Sequence, residues 1–219
     1  MLRLKSLNFA KSPLTTLAIP VCSDHPLVAD KKLLEIIDHA RQWQEFNGKS
    51  EERITLYGPP GVQAQRVILI GLGPREKITA ESLRSCAGEL IKYTAKGGLT
   101  EITLAAPDPG ALDLDTETVL RALGEGAVLS NHSFDHYKSD PTWTALKAID
   151  IAVTRHVAGS YKSLAKEIQT ICEGTLLARH WANLAPNDKS PEVLAKLMAK
   201  EARRRKLKVR ILTEKELAR

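Results

Sequence analysis

The alternation of short strand patterns with longer helical patterns is the feature that most constrains the fold of this chain. Short apolar or alternating runs predict strands, and apolar residues spaced three and four positions apart predict helices between them. The strands are predicted at 2–9, 14–21, 53–57, 66–70, 99–106, 146–153 and 207–212, and the helices at 31–43, 79–96, 115–129, 160–183, 190–205 and from 213 onward. Strands that alternate with helices indicate an α/β fold with a mixed or largely parallel sheet.

Local signals set several of these boundaries. The Pro/Gly cluster at 58–61 lies between two short strands and predicts a hairpin connection. Thr79 is the predicted N-cap of its helix, and Ser82 rather than Glu or Gln follows three residues later, so we expect no capping box there. Gly124 and Gly126 each cost a helix about 1 kcal/mol relative to Ala, which we interpret as a sign of close packing against the sheet.

The last thirty residues read as the opening of a second domain. Ser190 and Pro191 have the N-cap and first-position preferences of a helix start, and 213–216 form a capping-box pattern. A helix of about seven residues is not stable alone, and the 207–212 strand needs sheet neighbours that this segment does not supply. We therefore predict an N-terminal domain at 1–156, a linker helix at 157–183 and the truncated start of a second α/β domain at 184–219.

Charge and cysteine content narrow the class of protein. The formal net charge is +6, and six cations lie near the end of the chain: Arg203, Arg204, Arg205, Lys206, Lys208 and Arg210. An acidic partner such as DNA would suit this charge, but a solvated helix end, where cations complement the helix dipole, explains the cluster more simply. The three cysteines are far apart and without CxxC spacing, which favours a reducing, cytoplasmic setting over a disulfide framework or a zinc knuckle.

Signals for secretion or membrane insertion are not found in the sequence. The first 21 residues contain no apolar core of the kind that a signal peptide has. No stretch approaches the roughly 20 apolar residues that span a bilayer. We expect no membrane partner.

Motifs that would carry chemistry are incomplete. Gly71 and Gly73 follow a strand as in a phosphate-binding loop, but Glu76 stands where a third glycine is needed, so a tight turn is the simpler interpretation. His132 and His136 are four residues apart without a clear third metal ligand, and His156 and His180 are isolated. These histidines are expected to be structural.

A nucleophile is equally hard to find. The chain has no GxSxG motif, and Cys86 lies within a helical pattern, as a small buried side chain would. No pair of carboxylates stands out as an acid/base dyad. We therefore assign no catalytic, cofactor-binding or metal-binding residue in this chain.

Two segments carry most of a family resemblance, one within 125–139 and the other at 179–191. Residues 125–127 (EGA) are followed by 134–139 (FDHYKS), and 179–191 read RHWANLAPNDKSP. Together with 67–73 (VILIGLG), they resemble the leucyl aminopeptidases, also called cytosol aminopeptidases, over nearly the whole chain. The 183–191 segment is the most specific, although Leu184-Ala185 replaces the usual Thr-Pro and His132 stands where Tyr is common.

The resemblance implies more than the residues alone do. It implies a macro-domain-like N-terminal domain, a connecting helix and the start of a metallopeptidase domain, in a hexameric enzyme that removes N-terminal amino acids from peptides. The family's catalysis needs two divalent metal ions, Mn or Zn, which activate water and polarise the scissile carbonyl. The two motifs that carry these metals do not occur in this sequence, so no bound metal and no peptidase activity are expected of the chain alone.

Two alternatives stay open. One is a binding module, for a nucleotide or ADP-ribose because of the macro-like fold, or for DNA because of the basic residues and because some bacterial members of the family bind DNA. The other is a small structural protein in its own right, which the unfinished helix at 213–219 argues against.

Overall fold

A computed structural model describes residues 1–42, 46–140 and 143–217 of the chain. Trp43, the predicted last residue of the first long helix, and Ala218–Arg219 lie outside the described residues. The strands are β1 Leu2–Lys5, β2 Leu14–Cys22, β3 Arg53–Tyr57, β4 Ala64–Gly73, β5 Glu101–Ala105 and β6 Ala148–Ala152; the helices are α1 Lys31–Gln42, α2 Ala80–Lys96, α3 Thr116–Ser130, α4 Arg155–Ser160, α5 Leu164–Asn183, α6 Pro191–Arg204 and α7 Glu214–Leu217, with 3₁₀ turns at Arg75–Lys77 and Pro186–Asp188.

The strands form a six-stranded mixed sheet in the order β1-β6-β5-β2-β4-β3. Every neighbouring pair is parallel except β3 and β4, which form the antiparallel hairpin predicted around the 58–61 turn. The α/β fold with a mixed sheet flanked by helices is therefore confirmed. The chain divides into two compact units, Met1–Glu173 and Gly174–Arg219, and the whole sheet lies in the first.

Two hydrophobic cores lie in the first unit. The larger core joins one face of the sheet to α2, α3 and the first half of α5, through fully buried side chains such as Leu83, Leu120 and Ile168. The smaller joins the other face, at β2 and β4, to α1 through Leu33 and Ile37. On that second face β1 and β6 carry polar side chains instead: buried Asp150 accepts hydrogen bonds from Arg3 and forms an ion pair with Lys5.

The two glycines of α3 allow close packing, as predicted. Gly126, however, packs against helix α2 and not against the sheet. A Cβ at Gly126 would lie 2.1 Å from the carbonyl oxygen of Arg84, so this glycine lets α3 cross α2 with the two backbones in contact. At Gly124 a Cβ would meet Leu2 of β1 and Ile168 of α5 at about 3 Å. Helix–helix contact is thus the main reason for glycine at 126.

The capping prediction for α2 was wrong. Thr79 and Ser82 form a reciprocal capping box, in which each side chain accepts from the other's backbone N–H. A serine hydroxyl accepts a hydrogen bond as a Glu carboxylate does, so it can take the third position of the box. The predicted helix at 160–183 is also interrupted: α4 ends at Ser160 and α5 begins at Leu164.

The second unit contains the end of α5, helices α6 and α7 and the 3₁₀ turn at Pro186–Asp188. The start of α6 at Pro191 is as predicted, although the Ser190 side chain makes no capping hydrogen bond. The predicted strand at 207–212 does not form, because no described residue pairs with it and its apolar side chains stay exposed. None of the described helices is both long and apolar enough to cross a membrane.

Candidate functional site

A cleft of about 330 Å³ opens at the carboxyl edge of the sheet, inside the first unit. It lies where the chain leaves β2 and β5 in opposite directions: β2 leads to α1 on one face, and β5 leads to α3 on the other. In open α/β sheets this divergence leaves a crevice at the strand ends, which is where such folds bind ligands. The cleft is therefore the candidate binding site of the first unit.

Aliphatic side chains form the inner surface of the cleft. Leu33 of α1, Ala105 of β5 and Leu120 of α3 are almost completely buried there. Leu7 and Phe9, from the segment after β1, complete the lining on the outer side. The cleft can therefore enclose an apolar group of a few carbon atoms.

One wall of the cleft carries two carboxylates. Asp108 accepts a hydrogen bond from the backbone N–H of Ala29 at 2.5 Å, and its own backbone N–H donates to the carbonyl oxygen of Leu27. These two hydrogen bonds join the loop after β5 to the loop after β2. Asp30 Oδ1 accepts from the N–H groups of Lys32 and Leu33 at the start of α1. Each carboxylate is held in place through one of its two oxygens.

The part of the lining that follows β6 carries a cation. Thr154 follows β6 and caps the short α4, accepting a hydrogen bond from the Val157 N–H. Arg155 comes next and is exposed at the rim of the cleft. Within the part of the chain that the structure describes, Arg155 makes no ion pair. The lining of the cleft thus combines negative charge, positive charge and an apolar surface.

This arrangement does not favour a nucleotide. Phosphate groups are usually held by backbone N–H groups in a glycine-rich loop, whereas the loop after β5 contains Pro107 and Pro109, which have no N–H. Asp30 and Asp108 add negative charge beside that loop. The two carboxylates are better suited to a ligand that carries an ammonium group.

The Gly71-Leu72-Gly73 segment has a structural role. It belongs to β4, and a Cβ at Gly71 would lie 1.9 Å from the carbonyl oxygen of Lys49. Gly71 and Gly73 donate hydrogen bonds to Glu52 and Gly48 in the same turn. The glycines allow the 48–52 turn to lie directly on the strand, where no phosphate could reach.

The structure also shows whether histidines, cysteines and carboxylates could bind a metal ion, and how reactive the cysteine thiols are. Among the described residues, no group of three His, Cys, Asp or Glu side chains lies close enough to hold a metal ion. Cys22, Cys86 and Cys172 are buried free thiols. Burial raises the pKa of Cys22 to about 11 and that of Cys86 to about 12, so both thiols are neutral and poor nucleophiles near pH 7.

The segments that carry the family resemblance hold local structure together. Glu125 of α3 forms an ion pair with Arg84 of α2 at 2.8 Å. Asp135 accepts hydrogen bonds from Lys138 and Ser133, which lower its pKa. In the second unit Lys189 Nζ donates to the Ala182 carbonyl at 2.6 Å, across the 3₁₀ turn.

The cleft residues were not predicted from the sequence. Asp30, Asp108, Thr154 and Arg155 match no motif, and each is a common residue for a loop or a helix cap. Their one shared signal is position: each lies within eight residues after the end of a parallel strand. The order of the strands in the sheet, which the sequence does not reveal, brings them together.

The first unit is an open α/β domain with a cleft at the carboxyl edge of its sheet, and comparisons with known proteins identify its family. Residues 14–141 match the model of the cytosol aminopeptidase family, N-terminal domain. A probable cytosol aminopeptidase of Cenarchaeum symbiosum (strain A) is 34% identical over 174 residues, which cover 78% of this chain and 33% of that protein. One of Thermosynechococcus vestitus is 28% identical over 166 residues, 76% of this chain and 33% of that protein.

Solved structures agree on the fold. A tomato leucine aminopeptidase mutant superposes with a TM-score of 0.74 at 20% identity, covering 93% of this chain and 42% of the tomato chain. The bottromycin maturation enzyme BotP in complex with Mn superposes with a TM-score of 0.65 at 21% identity, covering 86% of this chain and 36% of that chain.

The chain belongs to the cytosol aminopeptidase family, a family of hydrolases, and contains its N-terminal domain. It spans about a third of the length of the curated relatives that it matches. The family prediction made from 125–139 and 179–191 is confirmed.

Proposed function

We propose that this chain is the non-catalytic, assembly and regulatory portion of a cytosol aminopeptidase. The complete protein would be a cytoplasmic hexamer that removes N-terminal amino acids from peptides with two divalent metal ions, Mn or Zn. In this proposal 1–156 is the macro-like domain, 157–183 the linker helix and 184–219 the beginning of the catalytic domain. The match of 14–141 to the N-terminal domain of the family is the observation that carries the proposal.

The chemistry of the described residues supports a non-catalytic role. Two-metal hydrolysis needs several carboxylates that converge on one point, where the metals activate a water molecule. Asp30 and Asp108 line one cleft, and each already uses an oxygen to hold backbone N–H groups. Cys22 and Cys86 have raised pKa values that make them unsuitable as nucleophiles. The similar enzyme BotP forms a complex with Mn. In this proposal the complete protein binds the metal ions, and the 219-residue chain alone does not.

Hydrolysis of leucyl-p-nitroanilide tests the proposal. The purified 219-residue chain is incubated with Mn²⁺ or Zn²⁺, and a complete family member serves as the positive control. We expect no release of nitroaniline above buffer from the chain and clear release from the complete enzyme. Metal-dependent turnover by the chain that a chelator abolishes would overturn the proposal.

DNA binding is the second candidate function, because cations are concentrated at 203–210. Three of them are already engaged. Arg204 and Arg205 both pair with Glu201 at 2.7–2.8 Å, which lowers the pKa of this carboxyl to about 2, and Arg210 lies 3.9 Å from Glu216. Binding through phosphate contacts would weaken steeply with salt. Titration of a DNA duplex into the chain at two salt concentrations measures this dependence. Affinity that falls steeply with salt supports DNA binding, and no binding at low salt removes this candidate.

A further inference from the structure

We propose that the carboxyl-edge cleft binds a short zwitterionic peptide, with its ammonium group at Asp30 and Asp108 and its carboxylate at Arg155. The cleft would then be a regulatory peptide site. The proposal rests on the geometry of the first unit and does not depend on the proposed function.

The distance between the charged walls selects the length of the ligand. Asp30 follows β2 and Arg155 follows β6, and β5 lies between these two strands. Neighbouring strands are about 4.8 Å apart, so the ends of the two strands that lead to Asp30 and Arg155 are roughly 10 Å apart. Two extended residues span about 7 Å, and a hydrogen bond at each end completes the distance. A free amino acid, whose two charges flank a single carbon, is too short.

Both walls retain unused hydrogen-bonding capacity. A carboxylate has sites for about four hydrogen bonds. Asp30 uses Oδ1 and Asp108 uses Oδ2 for backbone N–H groups. Their second oxygens make no hydrogen bond with another residue that the structure describes, and the Arg155 guanidinium makes none either. A ligand with charges of both signs would satisfy all three groups.

The floor between the walls favours an aliphatic side chain on the ligand. Leu33, Ala105 and Leu120 are buried there, and Val119 and Val157 extend the apolar surface. The volume of about 330 Å³ accommodates two residues, one of them of the size of leucine. The ligand class is therefore a dipeptide with a free amino terminus, a free carboxyl terminus and an aliphatic residue.

Leucylglycine is the probe, titrated into the ¹⁵N-labelled 219-residue chain and followed by amide chemical shifts. We expect saturable shifts centred on Ala29, Asp30, Asp108 and Arg155. The N-acetylated and C-amidated derivatives each lose one charge, and each should bind about tenfold more weakly, because a hydrogen bond between charged groups is lost.

Charge-removing variants test each wall separately. Asp30→Asn keeps the cap of α1, because Asn is as good an N-cap as Asp, but it removes the charge. This variant should bind leucylglycine about tenfold more weakly and should no longer distinguish it from the N-acetylated form. Arg155→Gln should also bind leucylglycine about tenfold more weakly, and it should no longer distinguish leucylglycine from the C-amidated form. Glu89→Gln, an exposed position on α2, is the matched control and should bind as the wild type does.

Several results would overturn the proposal. The absence of shifts in the cleft at about 10 mM leucylglycine, beyond the weak millimolar range, would do so. Equal affinity for the doubly blocked peptide would make the cleft a simple apolar groove, and tighter binding of ADP would make it a nucleotide site. Asp30→Asn and Glu89→Gln behaving alike would remove the assigned role of the carboxylate. Cleavage of leucylglycine in the sample would contradict the proposed function and leave the binding result intact.

Discussion

The two compact units of this chain differ in how completely they bury their apolar side chains. Met1–Glu173 encloses a core on each face of its sheet, and residues such as Phe46, Leu69 and Ile91 are fully inaccessible. In the described part of the second unit, 174–217, only Leu184 and Ala199 are buried. Apolar patterning is present in both, yet only the first unit holds the strands that convert such patterning into a core.

The 207–212 segment shows what the difference means. Leu207, Val209 and Ile211 would share one side of a strand. Leu207 is instead exposed by 60% and Ile211 by 41%, and the neighbouring Leu212 is exposed by 45%. A helix satisfies its backbone hydrogen bonds internally, so α6 forms from local sequence. A strand needs a neighbour for the same bonds, and the second unit has none to offer among its described residues. Local pattern is thus sufficient for helices and insufficient for strands.

Two glycines give the sharpest contrast between the units. Gly126→Ala places a Cβ against the Arg84 backbone, and we expect it to lower the free energy of unfolding by about 3 kcal/mol, since neither helix can move without disturbing the core. Gly174→Ala, in α5 at the start of the second unit, meets nothing within 4 Å and should be neutral or stabilising by up to about 1 kcal/mol. Urea unfolding of both variants measures this, and similar effects would contradict the packing described for α2 and α3.

High pH should destabilise the first unit. Burial raises the pKa of Cys22 to about 11 and of Cys86 to about 12, from an ordinary 9.0. The unfolded chain therefore loses these protons first. Stability that is complete below pH 9 is lost as the pH rises towards about 11 for Cys22 and about 12 for Cys86. Each thiol contributes a decline of about 1.4 kcal/mol per pH unit in that window.

Urea unfolding below pH 9 and at about pH 10.5 measures the decline in the free energy of unfolding. The control is the Cys22→Ala, Cys86→Ala double variant, which should decline less steeply. An identical slope in wild type and variant would show that other groups govern the loss.

The second unit should respond at the acid end instead. Hydrogen bonds and charges from Arg204 and Arg205 hold the pKa of Glu201 at about 2. A lowered pKa contributes stability above the ordinary value of 4.5, and this contribution is lost as the pH falls towards 2. Amide chemical shifts of 201–205 should therefore stay constant from neutral pH to about pH 4 and change below it. A transition near the ordinary Glu value would contradict these ion pairs.

The helix caps give the smallest contrast. Thr79→Ala removes a side chain that accepts the Ser82 N–H, and it should cost about 1 kcal/mol of unfolding free energy. Ser190→Ala removes a side chain that makes no capping hydrogen bond, and its effect should lie within about 0.5 kcal/mol of zero. Thermal or urea unfolding of the two variants measures these changes in the free energy of unfolding. Equal decreases in the two variants would contradict the difference between the two caps.

Much of the fold was predictable because it depends on local pattern. The strands β2 and β4, the hairpin turn at 58–61 and the start of α6 at Pro191 follow from apolar runs, Pro/Gly punctuation and helix-start preferences. The reciprocal cap of Thr79 and Ser82 was missed, because serine at the third helical position is weaker evidence than glutamate. The role of Gly126 was misplaced, because no local signal tells whether a helix or a sheet will lie against a glycine.

The cleft was less predictable than the fold. Asp30, Asp108 and Arg155 are distant in sequence and become neighbours only through the order β6-β5-β2 in the sheet. The order of the strands depends on how side chains from the whole unit pack into the two cores, one on each face of the sheet. Family resemblance came from 125–139 and 179–191, which form ion pairs and turns outside the cleft, so recognising the family did not reveal the site.

Amide hydrogen exchange on the intact 219-residue chain tests most directly the claim that the first unit encloses a core and that 205–217 in the second unit does not. We expect the strongest protection in β2, β4 and β5, where opening requires global unfolding. We expect rapid exchange throughout 205–217, where the backbone has few hydrogen bonds and the side chains are exposed. Protection of 205–217 equal to that of β4, or rapid exchange within β4, would contradict this claim.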